Sequence, residues 1–260
     1  MFIDSGKSHF RLAGLEKDEF PEMYVKKGEL EIDLLSFLKG LKKVAFAAEI
    51  SNYGHLNSIY CSSGMAVATD GRRLAKTEIN GIYKALIPIS AVRNILSIFA
   101  GVDKALLSIN ENRLHLSTDG IQFATQLMDA NFPDWQTVIP KKFTTKVRIN
   151  RRSFIDTIQR VSLINNDFAT KFEIKDKKVL VSSASSIGES KEEIPAETNG
   201  EITIAFNAKF LVEGIRVINS DEIIMKFVDK VSPCVIEPVN STDSDKGYTV
   251  SYTHLTLPTN

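Results

Sequence analysis

The residue types that perform catalysis occur in this sequence without the spacings that catalysis requires. Gly6-Lys7-Ser8 has the form of the end of a phosphate-binding loop, but it stands too close to Met1 for the upstream glycine such a loop needs. His9, His55, His115 and His254 are scattered, with neither H-E-x-x-H nor H-x-H spacing to hold a metal. Cys61 and Cys234 are the only cysteines and lie far apart, so neither a C-x-x-C site nor a disulfide framework is expected. A G-x-S-x-G nucleophile turn and a G-x-G-x-x-G dinucleotide loop are both missing. The expectation is a protein with no catalytic residues, no metal and no cofactor, whose work is binding.

Composition narrows the kind of binding. The 260 residues are 43% hydrophobic and 25% charged, enough apolar material for two domains of ordinary size. No run approaches the ~20 apolar residues of a membrane span, and Met1 to Lys7 lack the apolar stretch of a signal peptide. A reducing cytosol is the expected compartment. The 32 basic and 32 acidic residues leave a formal net charge of zero. Bulk charge therefore does not grip nucleic acid here, since that affinity comes from Lys and Arg neutralising phosphates. A protein held on DNA by encirclement remains compatible, because tight binding would hinder sliding.

The elements that position these residues are duplicated. Leu30-Glu31-Ile32-Asp33 precedes an apolar stripe at Phe37, Leu38, Leu41, Val44 and Ala45. Val147-Arg148-Ile149-Asn150 precedes Phe154, Ile155, Ile158, Val161 and Ser162, so that Phe154 follows Phe37 by 117 residues. The spacing is that of one helical face, with Asp33 and Asn150 as expected N-caps. At the same offset, Ile87-Pro88-Ile89-Ser90 leads into Val92, Ile95, Leu96 and Phe99, and Ile204-Ala205-Phe206-Asn207 into Leu211, Val212, Ile215 and Ile218. Ser90 and Asn207 are the expected caps of these second helices. Alternating or β-rich runs such as Ser58–Cys61, Met65–Ala68, Leu106–Ile109, Lys171–Ile174 and Ile223–Phe227 read as strands, with turn chemistry at Asp70-Gly71, Asp119-Gly120 and Asn199-Gly200. The fold class expected is α+β, as tandem repeats of two helices packed on antiparallel sheet. A boundary falls near Lys141 to Thr145.

Three stretches carry a family resemblance: Ala68-Thr69-Asp70-Gly71-Arg72-Arg73-Leu74-Ala75, Asn131-Phe132-Pro133-Asp134-Trp135 through Val138-Ile139-Pro140, and Ser5-Gly6-Lys7-Ser8 through Phe10-Arg11-Leu12. In this order and spacing the chain resembles the bacterial DNA polymerase III beta subunit, the DNA sliding clamp. The resemblance implies three similar domains per subunit and a two-subunit ring with helices inside and sheet outside. It assigns 1–22 to the end of a first domain, 23–142 to the middle domain and 143–249 to the last. Residues 250–260 resemble the translation of a sequencing-library adapter, so a non-native tail is expected there in place of the family's last strand. A divergent native strand is the alternative.

The resemblance also implies sites. A groove between middle and last domains takes a short, extended peptide of Gln and hydrophobic residues. It would be lined by Leu56, Thr69, Gly71, Arg72, Arg73, Leu74, Pro133, Thr137 and Val138, with Val231, Ser232 and Pro233 from the last domain. Thr137 stands where the family often has Arg. Without the resemblance, Asp70-Gly71 is simply a hairpin turn, Leu74 and Val138 read equally as core, and Arg72-Arg73 reads as an exposed pair. The implied DNA-facing residues are Lys39, Lys42, Lys43, Tyr53, His55, Arg93, Arg151, Arg152, Arg160, Lys209 and Arg216, which read equally as ordinary solvated helix faces. Leu163 and Ile164 fall at the implied dimer interface. Implied partners are double-stranded DNA without sequence preference, the polymerase III alpha subunit, the clamp loader, other clamp-binding proteins and a second copy in a homodimer. The implied compartment is the bacterial cytoplasm at the nucleoid, with no membrane. Lacking most of a first domain, the chain is not expected to close the ring. The competing expectation is a two-domain enzyme or ligand-binding protein with a cleft between repeats, in which the helices would cover a polar cavity.

Overall fold

A hairpin opens the chain, β1 (Phe2–Ser5) and β2 (Ser8–Arg11), exposed along both strands. Next come β3 (Leu30–Asp33), α1 (Leu34–Val44), 3-10 turns at Ala45–Ala47 and Gly54–Leu56, β4 (Ser58–Ser62), β5 (Met65–Thr69), β6 (Arg73–Glu78) and β7 (Lys84–Pro88). α2 (Ile89–Ile98) leads into β8 (Lys104–Asn110), β9 (Arg113–Ser117) and β10 (Gln122–Gln126). The same order then returns as β11 (Thr145–Asn150), α3 (Arg151–Ser162), β12 (Ala169–Lys175), β13 (Lys178–Ser185), β14 (Gly188–Pro195), a short β15 (Glu197–Thr198), β16 (Ile202–Asn207), α4 (Ala208–Arg216), β17 (Glu222–Phe227), β18 (Cys234–Pro238) and β19 (Thr249–Tyr252). The computed structural model describes residues 2–14, 30–48, 54–80, 84–110, 112–165, 168–239 and 249–252. Tyr53 and residues 253–260 of the tail lie outside them.

The helices begin where the chain can satisfy their first amides. Asp33 Oδ1 accepts from Ser36 N at 3.0 Å, Asn150 Oδ1 from Ser153 N at 3.0 Å and Asn207 Oδ1 from Phe210 N at 3.2 Å. The fourth helix start departs from expectation. Ser90 lies inside the first turn of α2, and Pro88 is the uncapped entry residue, with φ −54°. The amide of Ile89 donates instead to the carbonyl of Asn57 at 3.0 Å, which satisfies one of the first-turn amides from outside the helix. The apolar stripes point inward as their spacing requires: Phe37, Leu41, Val44, Val92, Ile95, Phe99, Phe154, Ile158, Leu211 and Ile215 are all fully buried.

β7, β4, β5 and β6 of the first repeat form one antiparallel block, and β15, β11, β17 and β18 of the second form another. β19 joins the two into a nine-stranded sheet, pairing with β18 through Cys234↔Tyr252 and with β6 through Arg73↔Tyr252. The seam strand expected to be missing is therefore supplied by Thr249–Tyr252, three of whose residues fall in the segment expected to be extraneous. The remaining strands make two four-stranded sheets, β10-β9-β8-β3 and β14-β13-β12-β16. α1 packs on β5 and β6, α3 on β12, β13 and β14, and α4 reaches the Ala45–Ala47 turn across the seam. What the helices cover is apolar, with Phe154, Phe172 and Phe206 packed edge to face or tilted beneath them. Among the described residues the layer beneath the helices is thus an apolar core, not the polar cavity that the enzyme alternative expects there.

Candidate peptide groove and nucleic-acid face

β6 sorts the candidate site residues by alternation, because successive side chains of a strand leave opposite faces. Ala75 is buried in the core beneath the helices, and Arg73 shares its face. Leu74 is buried too, at 4% exposure, but lies outside that core cluster on the other face. Opposed pairs share a face, so Thr69, which lies across from Leu74 in β5, joins it there, as does Val235 by way of the Ser251 position of β19.

A long connection covers this outer face. Phe132 stacks on Tyr60 of β4 with ring centres 5.0 Å apart, Trp135 lies under Lys76 of β6 with Nζ 5.8 Å from its ring centre, and Phe143 meets Lys226 of β17 at 5.6 Å. The segment thus passes over the seam from the first repeat to the second. Pro133, Thr137 and Val138 are exposed on it, Val138 at 50%, and Thr137 Oγ1 donates to Asp134 O at 2.8 Å. At the same end of the sheet two turns approach the seam. In one, Gly71 takes φ +81°, the left-handed region that glycine tolerates, while Asp70 Oδ1 accepts from the amides of Arg72 and Arg73. In the other, Asp229 Oδ1 accepts from Val231 N at 2.8 Å and Ser232 N at 2.6 Å, which leaves Val231 64% exposed ahead of half-buried Pro233. The structure so places Thr69 and Leu74 on the outer face and Gly71, Val231, Ser232 and Pro233 in the two turns at the seam, while Pro133, Thr137 and Val138 lie on the connection that crosses that face. Leu56 is half-buried at the end of its 3-10 turn.

Arg72 and Arg73, beside the same turn, contribute to another surface. They line a cleft of about 570 Å³ on the helix side, with Phe46, Arg93, Lys209, Phe210 and Glu213. Arg73 is no exposed residue either: its side chain is 9% exposed and engaged by Asp70 and Glu213. Its partners Phe46, Phe210 and Glu213 went unnoticed in the sequence. The available signal was Phe210, an aromatic standing off the buried stripe of α4.

Among the DNA-face candidates, Lys39, Lys42, Arg93, Arg152, Lys209 and Arg216 are exposed, and Lys43 and His55 are half-buried. Two others are already engaged. Arg151 Nε donates to Ser220 O at 2.7 Å, and Arg160 forms a two-point ion pair with Glu192, with Nε–Oε2 3.0 Å and Nη2–Oε1 2.5 Å. The Arg160 and Thr157 hydrogen bonds, in that order, hold the Glu192 carboxyl below its ordinary range. At the far edge of the second repeat, Leu163 and Ile187 are each 82% exposed beside the edge strand β14, and half-buried Ile164 packs near Gly188. Among the described residues no cluster of three metal-ligating side chains occurs, and no helix is long and apolar enough to cross a membrane.

Comparison with known proteins agrees with this architecture. Residues 136–251 match the family described as DNA polymerase III beta subunit, C-terminal domain. The beta sliding clamp of Synechococcus elongatus is 26% identical over 280 residues, covering 98% of this chain and 72% of that protein. The beta sliding clamp of Chlamydia pneumoniae is 28% identical over 264 residues, covering 94% and 70%. The crystal structure of the DNA polymerase III beta subunit from Thermotoga maritima superposes with a TM-score of 0.85 at 29% identity, covering 98% of this chain and 73% of that one. The duplicated α+β repeat, the merged outer sheet and these relatives lead to one conclusion: over nearly its whole length the chain is similar to the beta sliding clamps, the beta subunits of DNA polymerase III.

Proposed function

We propose that this protein is a DNA sliding clamp, a processivity factor that performs no chemistry and holds polymerase and other clients at the outer-face end of its seam. The observation that carries the reading is the β6–β19–β18 junction. It fuses two repeats into one sheet while α4 meets the Ala45–Ala47 turn that follows α1 on the opposite side, the arrangement of a ring wall with sheet outside and helices inside. Residues 23–142 and 143–249 act as the middle and last clamp domains, and the segment before them as the end of the first.

The client groove is formed by Leu56, Thr69, Gly71, Leu74, Pro133, Thr137, Val138, Val231, Ser232 and Pro233. Buried Leu74 and exposed Val138 and Val231 offer apolar contact for a Leu or Phe side chain, and the turn amides and hydroxyls orient an extended main chain. Arg72 and Arg73 are left out of it. On the helix face, Lys39, Lys42, Lys43, Arg93, Arg152, Lys209 and Arg216 meet DNA phosphates without base readout. Titration of a fluorescein-labelled peptide carrying Gln followed by Leu and Phe tests the groove. Saturable binding that Val138→Asp and Val231→Asp each abolish supports it, and equal binding by all three proteins removes the groove from this face.

A second subunit is proposed to attach along β14, where Leu163 and Ile187 are exposed. The β1–β2 hairpin offers a complementary apolar strand, with Phe10 55% and Leu12 48% exposed. No sheet is packed behind that hairpin among the described residues. The 260-residue polypeptide alone is therefore expected to run as a monomer in size-exclusion chromatography with light scattering; a stable ring-sized dimer would contradict this.

A further inference from the structure

Arg73 combines two properties that rarely coincide, a full charge and near-complete burial. Its Nε donates to Asp70 Oδ2 at 2.9 Å and its Nη1 to Glu213 Oε2. The guanidinium carbon lies 5.3 Å from the ring centre of Phe46 and 4.3 Å from that of Phe210. Asp70 and Phe46 belong to the first repeat, Phe210 and Glu213 to α4 of the second. A guanidinium withdrawn from water is tolerated only while its carboxylates and rings stay in place, because breaking one partner leaves an uncompensated buried charge. The arrangement is therefore sensitive to the spacing between the repeats.

The position of Arg73 relative to the seam gives this sensitivity a consequence. The β6–β19 ladder fixes how far the repeats can slide along the strands, but a sheet bends and twists about its strand direction. Arg73 lies off that line, on the helix side, where a tie opposes bending most effectively. From the same hairpin, Leu74 and Thr69 face the groove on the opposite side, across the seam from Val231–Pro233. We infer that Arg73 is a positioning residue that latches the two repeats at one angle and thereby sets the separation of the groove walls, without itself touching the client peptide. The effect on peptide rests on the groove reading; the latch stands on its own contacts.

The test uses the full chain with spin labels at Ser97→Cys on α2 and Gln159→Cys on α3, both exposed positions. Native Cys61 and Cys234 stay unlabelled, since burial pushes the Cys61 thiol up to about 12 and raises that of Cys234 as well. The parent gives one narrow inter-label distance distribution. Arg73→Met and Glu213→Gln broaden it and weaken the fluorescein-labelled Gln-Leu-Phe peptide by about tenfold, within the range of coupled neighbours. Glu213→Gln is the decisive variant. Glu213 is 32% exposed and lies on the helix side, so the substitution leaves the fold intact and cannot remove a peptide contact. If Arg73→Met loses peptide while both distributions stay narrow and Glu213→Gln binds normally, Arg73 is a ligand contact and the latch is wrong. Unchanged distances together with unchanged affinity overturn it equally. If the parent binds no peptide but the variants still broaden, the groove reading fails and the latch stands.

Discussion

Arg73 and Leu74, consecutive in β6, serve opposite faces of one sheet: Arg73 enters the helix-side seam, and Leu74 is buried on the other face, outside the core beneath the helices. Strand alternation separates two residues that a family motif groups together. Leu74→Ala removes a side chain that is only 4% exposed. It is expected to cost about 2–4 kcal/mol in urea denaturation and to abolish peptide binding. A loss below about 1 kcal/mol would mean the outer face repacks freely.

On the helix face, phosphate contacts are countable. Replacing Lys39, Arg93, Lys209 or Arg216 singly by Ala should weaken binding of a short duplex at low salt and reduce the slope of log K against log salt by about one counterion each. Arg160→Ala should leave that slope unchanged, since Glu192 already holds its charge. Fluorescence anisotropy at several salt concentrations separates the two classes.

Helix capping offers a stability check that is independent of function. Asp33→Ala, Asn150→Ala and Asn207→Ala each remove the acceptor of a helix-start amide and should cost about 1 kcal/mol apiece. Ser90→Ala should cost almost nothing, because Ser90 caps no helix. Thermal denaturation reads both.

Glu192 predicts a pH dependence of definite sign. Its hydrogen bonds from Arg160 and Thr157 lower its pKa in the fold. A carboxylate so lowered contributes stability that is complete above its unfolded pKa, about 4.3, and is lost as pH falls through the folded pKa. Glu192→Gln should therefore unfold at a lower temperature than the parent at pH 7, and the gap should close as the solution is acidified. A gap that persists in strong acid would place the stabilisation elsewhere.

Much of this fold was legible in the residues. The stripes beginning at Phe37 and Phe154 gave helices with their caps, and the 117-residue offset gave the duplication, because both depend on local periodicity. Ser90 misled because the helix starts one residue earlier, at Ile89, whose amide donates to the distant carbonyl of Asn57. The seam was less readable. Nothing near Arg73 in sequence announces Glu213 or Phe210, which lie in another repeat, and β19 shows its place only once β6 and β18 are laid side by side. The groove residues were reached through resemblance to a family; spacing alone left Leu74 and Val138 as plain core.

The claim that clients and DNA occupy opposite faces of one wall is tested most directly by amide and methyl chemical-shift mapping of the labelled protein with each ligand. The Gln-Leu-Phe peptide is expected to shift Thr69, Leu74, Val138 and Val231, and a short duplex to shift Lys39, Arg93, Lys209 and Arg216. Both ligands perturbing the same residues, or the peptide settling in the cleft beside Arg93 and Lys209, would contradict it.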